Sequence, residues 1–232
     1  MAPHLRKHVH IFTNWQITAV LPRLTLGQTE GAPLYAEMFQ SPTANSYIYV
    51  NGGLVSGPDG AVYGCNYFQN GPISMGGFTV TPPQSGRGFF VYRLEADGTI
   101  GWLVSPRGTA SFMDCNDIEI NSSGTAIGIV GSFLQGTIII ANETFTWTGT
   151  NTIRFQPFLM LMDTATGAQL WGKTWGGNGA IGSWAVGFDS AENILFNGRF
   201  SDGTMIVNGQ TYDAGSFNYD NYCMKVCTRS MH

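Results

Sequence analysis

The chain has 232 residues, enough to bury a substantial core, yet charged residues make up only 11% and aromatics reach 13%. Low charge with abundant aromatics excludes a disordered chain. A net charge of −4 excludes a general electrostatic attraction to nucleic acid or to an anionic membrane surface, and no apolar run approaches the ~18 residues of a bilayer span.

Residues 1–14 form a basic arm with Arg6, Lys7, His4, His8 and His10. Thr13, Asn14, Gln16 and Thr18 interrupt any apolar stretch of the kind that a secretion signal needs. The histidines are expected on a surface or intersubunit arm rather than in a metal site, because no carboxylate or cysteine stands near them in sequence. Residues 15–50 read as a leading half-unit with the segments ITAVLPRLTL, PLYAEMF and SYIYV as strands. Pro22 makes the first of these an edge strand or a bulged one. Three longer units follow, 51–115, 116–184 and 185–232. Each is expected to run strand, turn, strand, small hairpin, strand, turn and strand.

The repeat shows in FLMLMDTATGAQLW (158–171) and FFVYRLEADGTIGW (89–102), where a β-rich run meets a glycine-bearing turn and a second run closes on tryptophan. A weaker copy is RLTLGQTEGAPLY (23–35). A glycine stands four residues before each closing aromatic: Gly31 and Tyr35, Gly98 and Trp102, Gly167 and Trp171. The intervals are 102 − 35 = 67 and 171 − 102 = 69. Phe78, Phe145 and Tyr212 recur at 67 and 67, and Phe68, Phe133 and Phe200 at 65 and 67. Recurrent aromatics are expected to pack between adjacent sheets, so Tyr35, Trp102, Trp171, Phe78, Phe145 and Tyr212 are assigned to the repeat core. Trp147, Trp175 and Trp184 do not recur, which makes them the candidates for stacking on a ligand; the plainer reading is surface packing or a subunit contact.

The segments FDSAENILFNGRF (188–200), FLMLMDTATGAQLW (158–171) and GKTWGGNGAIGSW (172–184) resemble bacterial and phage-encoded β-propeller repeats of the SBBP type. The resemblance covers 52–226 well and 23–40 poorly. It implies an all-β, propeller-like fold of about three four-stranded blades plus a leading half-blade, and implies no chemistry. A propeller normally has about four to eight blades. The last unit also ends on NYCMKVC without a closing Trp strand. Such an arc exposes apolar flanks, so the last blade is expected to be completed either by the N-terminal strands in a small ring or, the favoured reading, by other subunits, with the N-terminal arm reaching a neighbour.

Outside the arm the only histidine is His232, which removes Ser-His-Asp and Cys-His catalysis from the folded body. No GxxxxGK[ST] loop is present, and glycine-rich Trp175–Gly179 lies between strands, where it makes turns. The nearest carboxylate cluster is Asp114, Asp117 and Glu119, with Asp213 and Asp220 a looser version. It reads as a turn and an exposed strand face before Ca²⁺ ligation or a glycosidase acid–base pair. Cys65, Cys115, Cys223 and Cys227 form no CxxC pair; buried thiols are expected, with a Cys65–Cys115 bridge as the alternative. These readings point to a non-enzymatic structural protein without a cofactor, in a virion or extracellular filament, whose partners are other copies of itself. Carbohydrate-binding adhesion is the alternative, with glycans as partners, and a glycosidase the remote one.

Overall fold

The computed structural model describes residues 47–49, 52–82, 86–149, 154–216 and 218–228, all within a compact unit spanning Glu37–His232. The basic arm, Tyr35 and the half-unit up to residue 46 lie outside the described residues. Every described element is a strand, so the protein is all-β over this range. No helix there is long and apolar enough to cross a membrane.

The first blade is built from β1 (Tyr47–Tyr49) and β2 (Leu54–Ser56), which pair with the two ends of β3 (Val62–Gln69), then β6 (Arg87–Leu94) and β7 (Ile100–Val104). A side hairpin of β4 (Ile73–Met75) and β5 (Phe78–Val80) projects between β3 and β6. The second blade repeats this plan. Its strands are β9 (Phe112–Ile120), β10 (Ala126–Leu134), β13 (Gln156–Asp163) and β14 (Gln169–Thr174), all antiparallel. Its side hairpin is β11 (Thr137–Ile140) and β12 (Glu143–Thr146), joined by β8 (Arg107–Gly108) from the linker between the blades. The third sheet holds β15 (Ala180–Phe188), β16 (Ile194–Ser201) and β19 (Tyr219–Val226), with β17 (Thr204–Val207) and β18 (Gln210–Asp213) as its hairpin.

Two of the expected boundaries shift. The unit borders at 115/116 and 184/185 fall inside β9 and β15, and β1, placed in the leading half-unit, pairs with β3 of the first blade. The first strand of a blade follows the preceding fourth strand through a short linker, so the repeat begins near residue 112 and again near 180. The third sheet has three strands among the described residues rather than four.

Alternation along the strands of the second blade sends apolar side chains to both faces, and each of these faces is covered by a neighbouring blade. Tyr63, Cys65, Phe89 and Val91 of the first blade share a core with Cys115, Ile129, Phe133, Phe158 and Met160 of the second. Phe89 and Phe158 stack across this boundary, 5.2 Å between centroids. Val130, Leu159 and Leu161 on the opposite face of the second blade meet Ile181, Phe196 and Phe200 of the third. Phe68, Phe90, Tyr92 and Leu103 form a separate cluster on the other face of the first blade, and burial pushes the Tyr92 hydroxyl up to about 12.

A bond between Cys65 and Cys115 ties β3 to β9, so these two cysteines are a disulfide rather than thiols. Cys223 and Cys227 are free and exposed, contrary to the expectation of burial. Both are odd-numbered positions on or just past β19, whose odd residues point away from the second blade.

Equivalent turns also touch. A Cβ on Gly124, whose φ is +72°, would meet the Pro58 ring of the preceding blade's turn. The third turn is Ser190–Glu192, in which Glu192, with φ 62°, takes the place of Gly60 and Gly124. Its carboxylate accepts from Ser122 Oγ (3.0 Å) and from the Ser123 N–H (2.9 Å) of the second blade. These Ser123 and Ser122 contacts hold the Glu192 carboxyl below the usual carboxylate range. A depressed folded-state pKa gives stability that is present above the unfolded value of about 4.3 and is lost as pH falls through the folded one. Wild type and Glu192→Gln should therefore differ in melting temperature at pH 7 and converge as the pH is taken down toward 2. A gap that stays constant over that range would show that the carboxylate contributes no charge-dependent contact.

Candidate functional site

The segment Asp114–Glu119 is placed along β9, between the blades. Arg87 Nε lies 2.5 Å from Asp114 Oδ1, and the guanidinium carbon sits 3.2 Å from the Tyr67 ring centroid, with Tyr49 stacked on Tyr67 at 4.5 Å. Burial raises the Asp114 carboxyl, while Arg87 pulls it the other way. A bulge between Val130 and Gly131 leaves Asn116 without a cross-strand partner, and its Nδ2 donates to Ser183 O of the third blade at 2.7 Å. Asp117 Oδ2 accepts from the Val186 N–H at 3.0 Å. Gly131 is required opposite this bulge, since a Cβ there would lie 1.9 Å from Asp114 O. These carboxylates and amides therefore stitch blade to blade. Asp213 closes a local turn by accepting from the Gly215 N–H, and Asp220 is exposed on β19. Among the described residues no three His, Cys, Asp or Glu side chains are placed to hold a metal ion.

The three unrepeated tryptophans have different surroundings. Trp175 is only 6% exposed and packs against Phe196 at 4.8 Å, so it is a core residue and offers no free ring face for stacking. Trp147 is half-buried against the core of the first two blades, and its Nε1–H donates to Arg154 O at 2.8 Å. Trp184 is 53% exposed. It occupies the bulge of β15, the place that Asn116 holds in β9.

The recurrent aromatics also divide. Trp102 is 6% exposed, and its Nε1–H donates to Thr164 O at 3.0 Å in the following blade. Trp171 is half-buried against the second core, and Phe145 is half-buried against the first. Phe78 and Tyr212 are exposed, so the core assignment does not hold for them. Both lie on the outer strand of a two-stranded side hairpin, whereas the hairpin carrying Phe145 is widened by β8 and lies against the core.

Two surfaces remain as candidates. A groove of about 580 Å³ runs between the linker after β14 and the hairpin β17–β18, lined by Lys173, Trp175, Asn178, Thr204, Ile206 and Asn208 among others. Its linker is tied down by Asn178 Oδ1, which accepts from the Thr204 N–H and Oγ1 at 2.6 and 2.9 Å. The lining mixes apolar and polar groups, with Lys173 its one charged side chain, and holds no acid–base pair. The other surface is the outer face of the third blade, where Arg199 lies between Trp184 and Tyr219. Sequence reading missed Arg199 and Tyr219. The signal was there in the repeat, because Arg199 stands 67 residues after buried Ser132 (199 − 132 = 67).

No protein-family model and no curated protein sequence matches the chain. Among solved structures, the periplasmic gluconolactonase PpgL of Pseudomonas aeruginosa aligns at 9% identity over 71% of each chain, with a TM-score of 0.25. A likeness this slight carries no argument about fold, site or reaction.

Proposed function

We propose that the protein is a non-enzymatic assembly component, a row of propeller-like blades whose last sheet is completed by a strand from another molecule. The observation that carries this reading is the edge of β19. In the first two blades the third strand pairs on both sides, β6 with β3 and β7, β13 with β10 and β14. Among the described residues β19 pairs with β16 alone. An edge strand of eight residues presents unpaired N–H and C=O groups, the template for strand addition. Other copies of the chain are the partners of this reading, and a virion or an extracellular filament is its setting. The SBBP-type sequence resemblance is consistent with it, as are the inter-blade contacts that occupy Asp114 and Asp117.

Light scattering across a thousandfold concentration range should show mass growing beyond the monomer, with slowed amide exchange along β19 in the larger species. A monomer at every concentration would remove the proposal.

A further inference from the structure

The outer face of the third blade differs in chemistry from the equivalent face of the second. In the second blade, the cross-strand pairs Val130–Leu159 and Ser132–Pro157 are buried. The matching pairs in the third blade are Asn197–Cys223 and Arg199–Asn221, all four exposed. Buried positions have become exposed, and Val130, Ser132 and Pro157 are replaced by Asn197, Arg199 and Asn221, where the repeat would otherwise pack a further sheet. Burying Arg199 and two carboxamides under an apolar neighbour would cost their hydration. Terminal repeats that face solvent carry such a polar surface.

On this face two large rings flank one cation. Arg199 Cζ lies 5.5 Å from the Trp184 ring centroid and 4.9 Å from that of Tyr219. Both rings are open to solvent, Trp184 at 53% and Tyr219 at 65%. Among the described residues no carboxylate pairs with Arg199, while Lys225 on the same face is neutralised by Asp189 at 2.6 Å. Asp220 belongs to the opposite face of β19, being paired with buried Phe200. Among the described residues the face thus offers two flat apolar surfaces, two carboxamides without a hydrogen-bond partner and a single uncompensated guanidinium.

We propose that Trp184, Arg199 and Tyr219, with Asn197 and Asn221 beside them, bind a terminal sugar that carries one carboxylate, of the sialic- or uronic-acid class. The ring faces take the C–H side of a pyranose, the carboxamides exchange hydrogen bonds with hydroxyls, and the planar guanidinium fork matches a carboxylate. One unpaired cation on this face, among the described residues of a chain of net charge −4, suits a single anionic group better than a polyanion. The site uses side chains on the sheet face and is separate from the backbone edge of β19 invoked for assembly.

The test is titration of the full chain with sialyllactose and with lactose, followed by tryptophan fluorescence and by chemical-shift changes. Saturable binding of sialyllactose is expected, with lactose at least tenfold weaker. Trp184→Ala and Arg199→Met should each weaken sialyllactose binding at least tenfold at unchanged melting temperature, whereas Tyr219→Phe keeps the stacking surface and binds within about twofold of wild type. If sialyllactose and glucuronic acid both fail to bind, the proposal is overturned. It is overturned equally if lactose binds as tightly as sialyllactose, if binding survives Trp184→Ala or Arg199→Met, or if Arg199→Met instead abolishes self-association.

Discussion

Replacing Cys65 and Cys115 together by alanine should lower the free energy of unfolding by about 4 kcal/mol, on the loop-closure entropy of a cross-link with a sequence separation of 50. The double replacement leaves neither partner of the bond behind as a buried thiol, and Cys223 and Cys227 are free in both proteins, so the cost reports the cross-link and the small loss of packing. The bond joins β3 to β9 inside the first shared core, where Cys65 is fully buried and Cys115 nearly so. Reduction should therefore be slow in the folded protein and fast once it unfolds. Denaturant titration of wild type and the double variant, each with and without reductant, separates the effects. Wild type should fall to the level of the variant on reduction, and the variant should not respond. Equal stability of all four samples would mean that the bond constrains nothing the fold does not already hold.

Trp102→Ala should cost about 3–5 kcal/mol, the usual range for deleting a buried aromatic, whereas Trp171→Ala should cost roughly 1–2 kcal/mol on the scale of apolar area removed from water. The two residues are equivalent in the repeat, and their difference is one of cover. Trp102 sits under the turn of the following blade: a Cβ on Gly167 would lie 2.8 Å from its indole, and Thr164 O receives its N–H. Arg93 Nη1 donates to the same carbonyl at 2.9 Å, so truncation also loosens a shared hydrogen-bond site. Among the described residues no such turn covers Trp171, which remains half-buried. Thermal unfolding of the two variants side by side would decide the point. Equal losses would show that cover by a following blade is not what distinguishes the two sites.

The repeat was legible in the chain because blades of one design need glycine at the tight turns and an aromatic at each sheet-to-sheet contact. Gly98 and Gly167 both hold positive φ, 87° and 71°, at the hairpins read from sequence. The side hairpins and the strand order within each blade followed from the same spacing. Blade boundaries did not, because the linkers after β7 and β14 are glycine-bearing loops that look like the turns inside a blade. The disulfide was one of two open readings for a similar reason: β3 and β9 are brought together by the packing of two sheets, and nothing in the spacing of Cys65 and Cys115 encodes it.

The candidate sites divide along the same line. Trp147, Trp175 and Trp184 are alike as unrepeated tryptophans, yet one closes a core, one caps a loop carbonyl and one faces solvent. Residue type and period determined, from the sequence by itself, that this is a chain of repeated β-sheets with aromatic contacts between them. Whether an aromatic is covered depends on having a blade in front of it, and only the tertiary structure decided that. Arg199 shows the reason: its exposure arises from its place on the last described face of the stack, which is a property of neighbours in space and not of neighbours in the chain.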